Sequence, residues 1–205
     1  MTETEKENKK TIKFLSIALI TAIGIIVFEE QRLNTKEPVV SYSELLCTEE
    51  NEESVCTYKD LTPFTGTAIA NYPNGNLFFK IHYKNAKANG SYKTYYKNGR
   101  LKSEANNKVG KLYGLVKKYH ENGQLESIAN YKAGKLNGIS KTYYNDGQLA
   151  MEFNFKEDKL NGVSKFFYEN GQLMTKIVWK EDVSLSKECY DQKGKEADCK
   201  SITKN

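Results

Sequence analysis

The sequence of 205 residues is short of several residue types at once, and each shortage excludes something. Three prolines and 14 glycines with no three-residue period exclude collagen and Pro-rich linkers. Two histidines, His82 and His120, leave little for a histidine-based metal or acid–base site. Aliphatic residues are modest, which argues against a three-layer α/β enzyme with a thick core. Only one long apolar run occurs, so a multi-span membrane protein is excluded. No G-x-S-x-G, H-E-x-x-H or P-loop motif is present. The expectation is a chain that is not an enzyme, with no catalytic residue, no metal and no cofactor.

Aromatics are plentiful: 14 tyrosines and nine phenylalanines. Together with the glycines they point to β structure with many turns.

The apolar run spans Ile12–Phe28 and has one charge, Lys13, near its start. Lys9 and Lys10 precede it; Glu29 and Glu30 follow. Basic residues on the N-terminal side keep that end cytoplasmic and send the rest across the membrane. The reading is 1–11 cytoplasmic, then a signal-anchor or signal-peptide helix over 12–28, with an uncleaved anchor as the expectation. The remainder is then exported to the periplasmic or extracellular side, or secreted if the segment is cleaved. Residues 29–62 read as an acidic linker, with Pro38 ending any helix that continues from the anchor.

Four cysteines, Cys47, Cys56, Cys189 and Cys199, lie after this run and outside the middle of the chain. Their wide spacings do not fit structural zinc. The even count fits two disulfides in an oxidising compartment. Three pairings are open, of which 47–56 and 189–199 close the shortest loops.

The middle is repetitive. Gly66, Gly90, Gly114, Gly138 and Gly162 recur every 24 residues, and so do Gly75, Gly99, Gly123, Gly147 and Gly171. Asn or Asp precedes each of the second series, and Leu77, Leu101, Leu125, Leu149 or Leu173 follows two residues later. Each unit reads as a β-hairpin whose Asn-Gly or Asp-Gly forms a two-residue type I′ turn. The first glycine series closes a longer return turn, as in Lys135-Leu136-Asn137-Gly138. The fold class expected is all-β: an elongated single-layer antiparallel meander of five 24-residue hairpins over 63–180, ten strands in all, behind the N-terminal helix. Residues 181–205 read as a degenerate closing hairpin around Tyr190-Asp191-Gln192-Lys193-Gly194-Lys195, flanked by Cys189 and Cys199.

A two-residue turn sets the pairs Tyr72/Leu77, Tyr96/Leu101, His120/Leu125, Tyr144/Leu149 and Tyr168/Leu173 on one face. Phe79, Ile81, Phe153, Phe166, Ile177 and Trp179 join them. The other face carries a lysine column, Lys93, Lys117, Lys141 and Lys165, and an aromatic column, Tyr95, Tyr119, Tyr143 and Phe167. The register sets Lys93 against Glu104 and Lys141 against Glu152. His120 fills a slot that tyrosine holds elsewhere and reads as structural, and His82 falls on the opposite face.

The repeats resemble the MORN repeat variant of bacterial proteins, known widely as the YwqK family of toxin–antitoxin antitoxins. The resemblance covers about residues 60–180. It rests on Thr62-Pro63-Phe64-Thr65-Gly66, on Tyr143-Tyr144-Asn145-Asp146-Gly147-Gln148-Leu149 and on Lys159-Leu160-Asn161-Gly162 with their sister copies. It implies a protein-binding module with a toxin as partner. MORN repeats elsewhere imply association with lipid.

Residues 63–180 hold 19 basic and eight acidic residues, a net +11. The lysine and aromatic columns are the candidate binding residues, the aromatics as anchors and the lysines as steering charges. The first expectation is a protein partner. The second is an envelope structural role on anionic lipid or glycan. Lysine interleaved with tyrosine also suits single-stranded nucleic acid, but export sets nucleic acid aside as a partner.

Overall fold

The computed structural model describes residues 37–50 and 53–202. The expected cytoplasmic segment and membrane helix lie outside the described residues. Among those described, no helix is long and apolar enough to cross a membrane.

The described chain is all-β. Its elements are β1 (Val39–Ser41), a 3₁₀ turn (Tyr42–Glu44), β2 (Leu46–Glu50), β3 (Glu53–Thr57), β4 (Gly66–Asn71) and β5 (Leu77–Lys84). Then come β6 (Lys87–Tyr95), β7 (Leu101–Lys108), β8 (Lys111–Leu112), β9 (Gly114–Tyr119), β10 (Leu125–Lys132) and β11 (Lys135–Tyr143). The chain continues through β12 (Leu149–Lys156), β13 (Lys159–Leu160), β14 (Gly162–Phe167), β15 (Leu173–Lys180) and β16 (Val183–Cys189) to a one-turn helix α1 (Cys199–Ile202). All 16 strands belong to one open sheet, in the order β1-β4-β5-β6-β7-β9-β10-β11-β12-β14-β15-β16. From β4 onward the sheet is an antiparallel meander, whereas β1 pairs with β4 in parallel. The strand count is therefore 16 and not ten. The surplus comes from the capping strands at the two ends and from the short strands β8 and β13.

The turns exchange the roles expected of them. At the Asn-Gly corner, Tyr96 N–H donates to the Arg100 carbonyl and Gly99 N–H to the Tyr96 carbonyl, at 2.8 and 2.9 Å. This is a three-residue loop, a type I turn closed by a left-handed glycine, with φ of +84° at Gly99. Asn98 keeps a negative φ, and its side chain caps the loop by accepting from Arg100 N–H at 3.0 Å. Asn74, Asn122, Asp146 and Asn170 do the same. The type I′ signature, positive φ at two consecutive residues, sits instead at the return corners Asn85-Ala86, Val109-Gly110, Ala133-Gly134, Glu157-Asp158 and Glu181-Asp182. Lys135-Leu136-Asn137-Gly138 is strand, not turn.

The longer corner shifts the register beside it by one residue. Leu101 faces Tyr95 rather than Tyr96, and likewise Leu77 faces Asn71, Leu125 faces Tyr119, Leu149 faces Tyr143 and Leu173 faces Phe167. A bulge absorbs the extra residue, so Lys93 still faces Glu104 and Lys141 still faces Glu152. The opposite face carries Phe79, Ile81, Phe153, Phe166, Ile177 and Trp179, with the Phe153 and Phe166 rings edge to face at 5.4 Å.

The only compact core among the described residues lies at the N-terminal end. The stretch expected as linker is folded from Val39: β2 and β3 form a hairpin beside β6, Val55 facing Lys87. Cys56, Phe64, Ala68 and Tyr83 are almost fully enclosed there, with Leu45 and Ala88 beside them. The acidic composition hid this cap because its apolar residues are few and borrow Phe64 and Tyr83 from the first repeat. Close approach fixes Gly66: a Cβ there would stand 2.5 Å from the Pro38 carbonyl oxygen, which accepts the Thr67 N–H. Disulfides join Cys47 to Cys56 and Cys189 to Cys199. The sixth corner, Asp191 to Lys195 with Gly194 left-handed, repeats the loop geometry of the five before it.

Candidate binding face

The meander assembles one continuous row of side chains across eleven strands. In order it reads Ile69, Lys80, Lys93, Glu104, Lys117, Ile128, Lys141, Glu152, Lys165, Lys176, Glu188, each facing the next. All four lysines expected as a column lie in it. Lys80, Lys176 and Glu188 were not singled out from the sequence. The period itself locates the first two: Lys80 is one unit before Glu104, and Lys176 one unit after Glu152.

The acids bridge the lysines. Glu104 lies 3.7 Å from Lys93 and 3.4 Å from Lys117, and Glu152 lies 3.3 Å from Lys141 and 3.6 Å from Lys165. Lys176 pairs with Glu188 at 3.1 Å. These pairs are substantially exposed and contribute little to stability, well under about 1 kcal/mol each. Their consequence is positional, because they hold long side chains upright in a line.

The aromatic column ends the same strands. Tyr95, Tyr119, Tyr143 and Phe167 are half-buried, and each is fixed through its own backbone. The Tyr95 carbonyl accepts from Tyr72 Oη at 2.9 Å, that of Tyr119 from Tyr96 Oη at 2.6 Å, and that of Phe167 from Tyr144 Oη at 2.7 Å. His120 Nε2 takes this place against the Tyr143 carbonyl at 3.4 Å. That contact is the structural role expected of His120. This ladder escaped the sequence because it joins residues 23 apart rather than strand neighbours.

One member of the aromatic column is tied to the charged row, as Tyr190 is to Glu188 at the row's end. Tyr119 Oη donates to Glu104 Oε1 at 2.8 Å. Burial, then this bond and the carboxylate's charge, push the Tyr119 phenol up to about 12. The same bond is the main cause holding Glu104 below the usual carboxylate range, helped by Lys117 and Lys93. Beside the lysines stand two large apolar side chains, Leu115 and Ile139, each 50% exposed. They sit two residues before Lys117 and Lys141 on the same strands, hence on the same face. Two open hollows interrupt the row. One, of about 390 Å³, is lined by Lys93, Glu104, Leu115 and Lys117 among others. The other, of about 410 Å³, is lined by Thr67, Lys80, His82, Ser91, Lys93 and Tyr95.

The face is thus a charged line with aromatic and aliphatic contact points. It has the makings of a recognition surface: steering charge, rigid rings and exposed apolar area.

No curated protein matches the chain. Among solved structures it is similar to part of the GtfA/B complex bound to UDP and GlcNAc, at 12% identity and a TM-score of 0.22, over 68% of this chain and 24% of that one. It is also similar to part of alternansucrase in complex with isomaltononaose, at 15% identity and a TM-score of 0.13, over 75% of this chain and 16% of that one. The chain spans a quarter or less of each, and likenesses so slight carry no weight. The model of the MORN repeat variant matches five times, at residues 64–85, 88–106, 112–133, 136–157 and 160–181, more than half of the sequence. Those five segments follow the hairpins of the meander one by one, and the chain belongs to the MORN repeat variant family.

Proposed function

We propose that this protein is a non-enzymatic binding module that captures a protein partner on its lysine–aromatic face. MORN repeats are often protein- or lipid-binding modules. The observation that carries the protein reading is the placement of exposed Leu115 and Ile139 beside the lysine row, with Tyr95, Tyr119, Tyr143 and Phe167 at the strand ends. A headgroup layer draws first on charge, and apolar side chains add to it only by entering the acyl boundary. A protein interface gains from desolvated rings and aliphatic contact points within a charged frame. The partner is a toxin neutralised by the module, held at the envelope through the segment at residues 12–28.

The test is partner capture from the envelope fraction, followed across salt. The wild-type complex persists at high ionic strength, because its anchors are apolar, while Lys93, Lys117, Lys141 and Lys165 changed together to Glu slow its formation. Capture unaffected by the four substitutions contradicts the steering role. Binding to anionic vesicles that vanishes at high salt, with no protein captured, favours the lipid reading instead.

A further inference from the structure

The 24-residue period allows each unit to be superposed on its neighbour by number, and the slot that holds Glu104 and Glu152 is filled by Lys80, Ile128 and Lys176 in the other units. Glu104 is held by Lys117 across the strand pair and by the Tyr119 hydroxyl. One unit earlier the holders are present as Lys93 and Tyr95, but the acid's place is taken by Lys80. One unit later the acid is replaced by Ile128, and the two lysines flanking it, Lys117 and Lys141, are each paired with a glutamate on their other side. At Lys80 no such relief exists among the described residues. Lys80 directly faces Lys93, and Lys93 shares a single carboxylate, Glu104, at the long distance of 3.7 Å. Like charges set opposite one another across a strand pair are unfavourable. The other lysine pair in the row, Lys165 and Lys176, is bonded on both sides, to Glu152 and to Glu188.

The geometry points to an exogenous carboxylate as the missing member: the hollow bordered by Lys80, Lys93 and Tyr95 is a subsite for an acidic side chain of the partner. This deepens the protein-binding reading and rests on it for the source of the carboxylate. The chemistry is that of the neighbouring unit. A carboxylate entering the hollow meets two ammonium groups, where Glu104 has Lys117 and Lys93. It also meets the ring of Tyr95, the counterpart of the tyrosine that donates to Glu104. Thr67 and Ser91 add hydroxyl donors on the same side, and the His82 ring closes the hollow, 3.5 Å from Thr67 Oγ1. A neutral amide would meet the same donors without the charge.

Lys80→Glu tests this and is well suited to fold, because glutamate is the residue found in that slot in the second and fourth units. Two probes separate the sources of the carboxylate: N-acetylglutamate as the free acid, and a short glutamate-rich peptide with its glutamine counterpart as control. Amide shifts are followed by NMR at low salt. The expected result is saturable shifts confined to the strands bearing Thr67, Lys80, Ser91, Lys93 and Tyr95, with the acidic peptide or the free acid and not with the glutamine peptide. Lys80→Glu then weakens that binding at least about tenfold, since one charge is reversed at contact distance, while the melting temperature holds or rises. Saturation by the free acid alone still supports the subsite and assigns it to small carboxylates. Absence of saturable shifts with both probes, equal binding by the glutamine peptide, or equal affinity in Lys80→Glu overturns it. Failure of envelope capture with the subsite intact would sink the protein-partner reading and leave the carboxylate chemistry standing.

Discussion

Tyr96 Oη donates to the carbonyl of Tyr119, 23 residues further on, at 2.6 Å. The bond ties the corner of one hairpin to the last strand residue of the next first arm, and it recurs from Tyr72, Tyr144 and Tyr168. In a sheet of one layer, where most side chains are only half covered, such unit-to-unit bonds hold neighbours in step alongside the strand ladder. They also fix the backbone of the aromatic column from behind.

Removing one phenol oxygen should therefore be felt. Tyr96→Phe keeps the ring and loses the bond, at a cost of about 0.5–1.5 kcal/mol in unfolding free energy. His120→Tyr should act in the opposite direction, because the imidazole sits 3.4 Å from its carbonyl where the phenols reach 2.6–2.9 Å. Denaturant unfolding of the two variants checks both signs; a His120→Tyr protein less stable than wild type would contradict the ladder.

The Asp146-Gly147 corner makes a second prediction. Gly147 has a φ of +88°, and a Cβ built on it would meet nothing within 4 Å. The penalty for a side chain is thus in the backbone and not in space. Gly147→Val should cost about 1–2 kcal/mol and Gly147→Asn distinctly less, since Asn tolerates the left-handed region. Equal melting temperatures for the two variants would count against a left-handed residue at this corner.

The Tyr119–Glu104 pair predicts a pH dependence with two limbs. The Tyr119 phenol is raised from about 10 to about 12, so its contribution to stability is complete below pH 10 and is lost as pH climbs through that window. Glu104 is lowered from about 4.5, so its contribution is present above that value and is lost as pH falls through its depressed folded value. Tyr119→Phe should flatten the alkaline limb and move the Glu104 titration back up toward 4.5. Carboxyl NMR titration of Glu104 in the two proteins checks the acidic half, and melting temperature between pH 9 and pH 12 checks the other.

The Cys189–Cys199 disulfide bridges a sequence separation of 10 around the sixth corner. Replacing both cysteines by serine should cost about 2–3 kcal/mol on the loop-entropy scale. Protection of the β16 amides from exchange should fall first, while β4 to β12 keep theirs, as expected of a stack of nearest-neighbour units. Loss of protection spread evenly over the sheet would contradict that.

Much of this molecule is legible in its spacing. The lysine row, the face of Phe79, Phe153 and Phe166, and the Lys93–Glu104 and Lys141–Glu152 pairs follow from the 24-residue beat and the two-residue strand period, whereas the pairs such as Tyr96/Leu101 do not. The corners mislead because Asn-Gly accepts two conformations. In isolation it suits a type I′ turn, yet here the Asn98 side chain is better used capping Arg100 N–H, which keeps its φ negative. Pro73, fixed near −65° before Asn74, is the one residue that signals a type I corner. Two of the five type I′ corners carry Glu157-Asp158 and Glu181-Asp182, residues that seldom announce one. Asp158 and Asp182 are kept there by a different bond, each carboxylate accepting a backbone N–H from just past the preceding return corner, Leu136 in β11 and Leu160 in β13, at 2.7 Å. The N-terminal cap was hidden for a further reason: its enclosure depends on Phe64 and Tyr83, which sequence order assigns to the repeats.

The central claim is that one face of the sheet, and not the other, meets the partner. Lysine acylation read by mass spectrometry addresses it directly, because Lys118 projects from the opposite face, opposite Ser103 and Ser127. With the captured partner bound, labelling of Lys93, Lys117, Lys141 and Lys165 should drop while Lys118 is labelled as in the free protein. Protection of Lys118 with the four-lysine column still fully labelled would contradict the account.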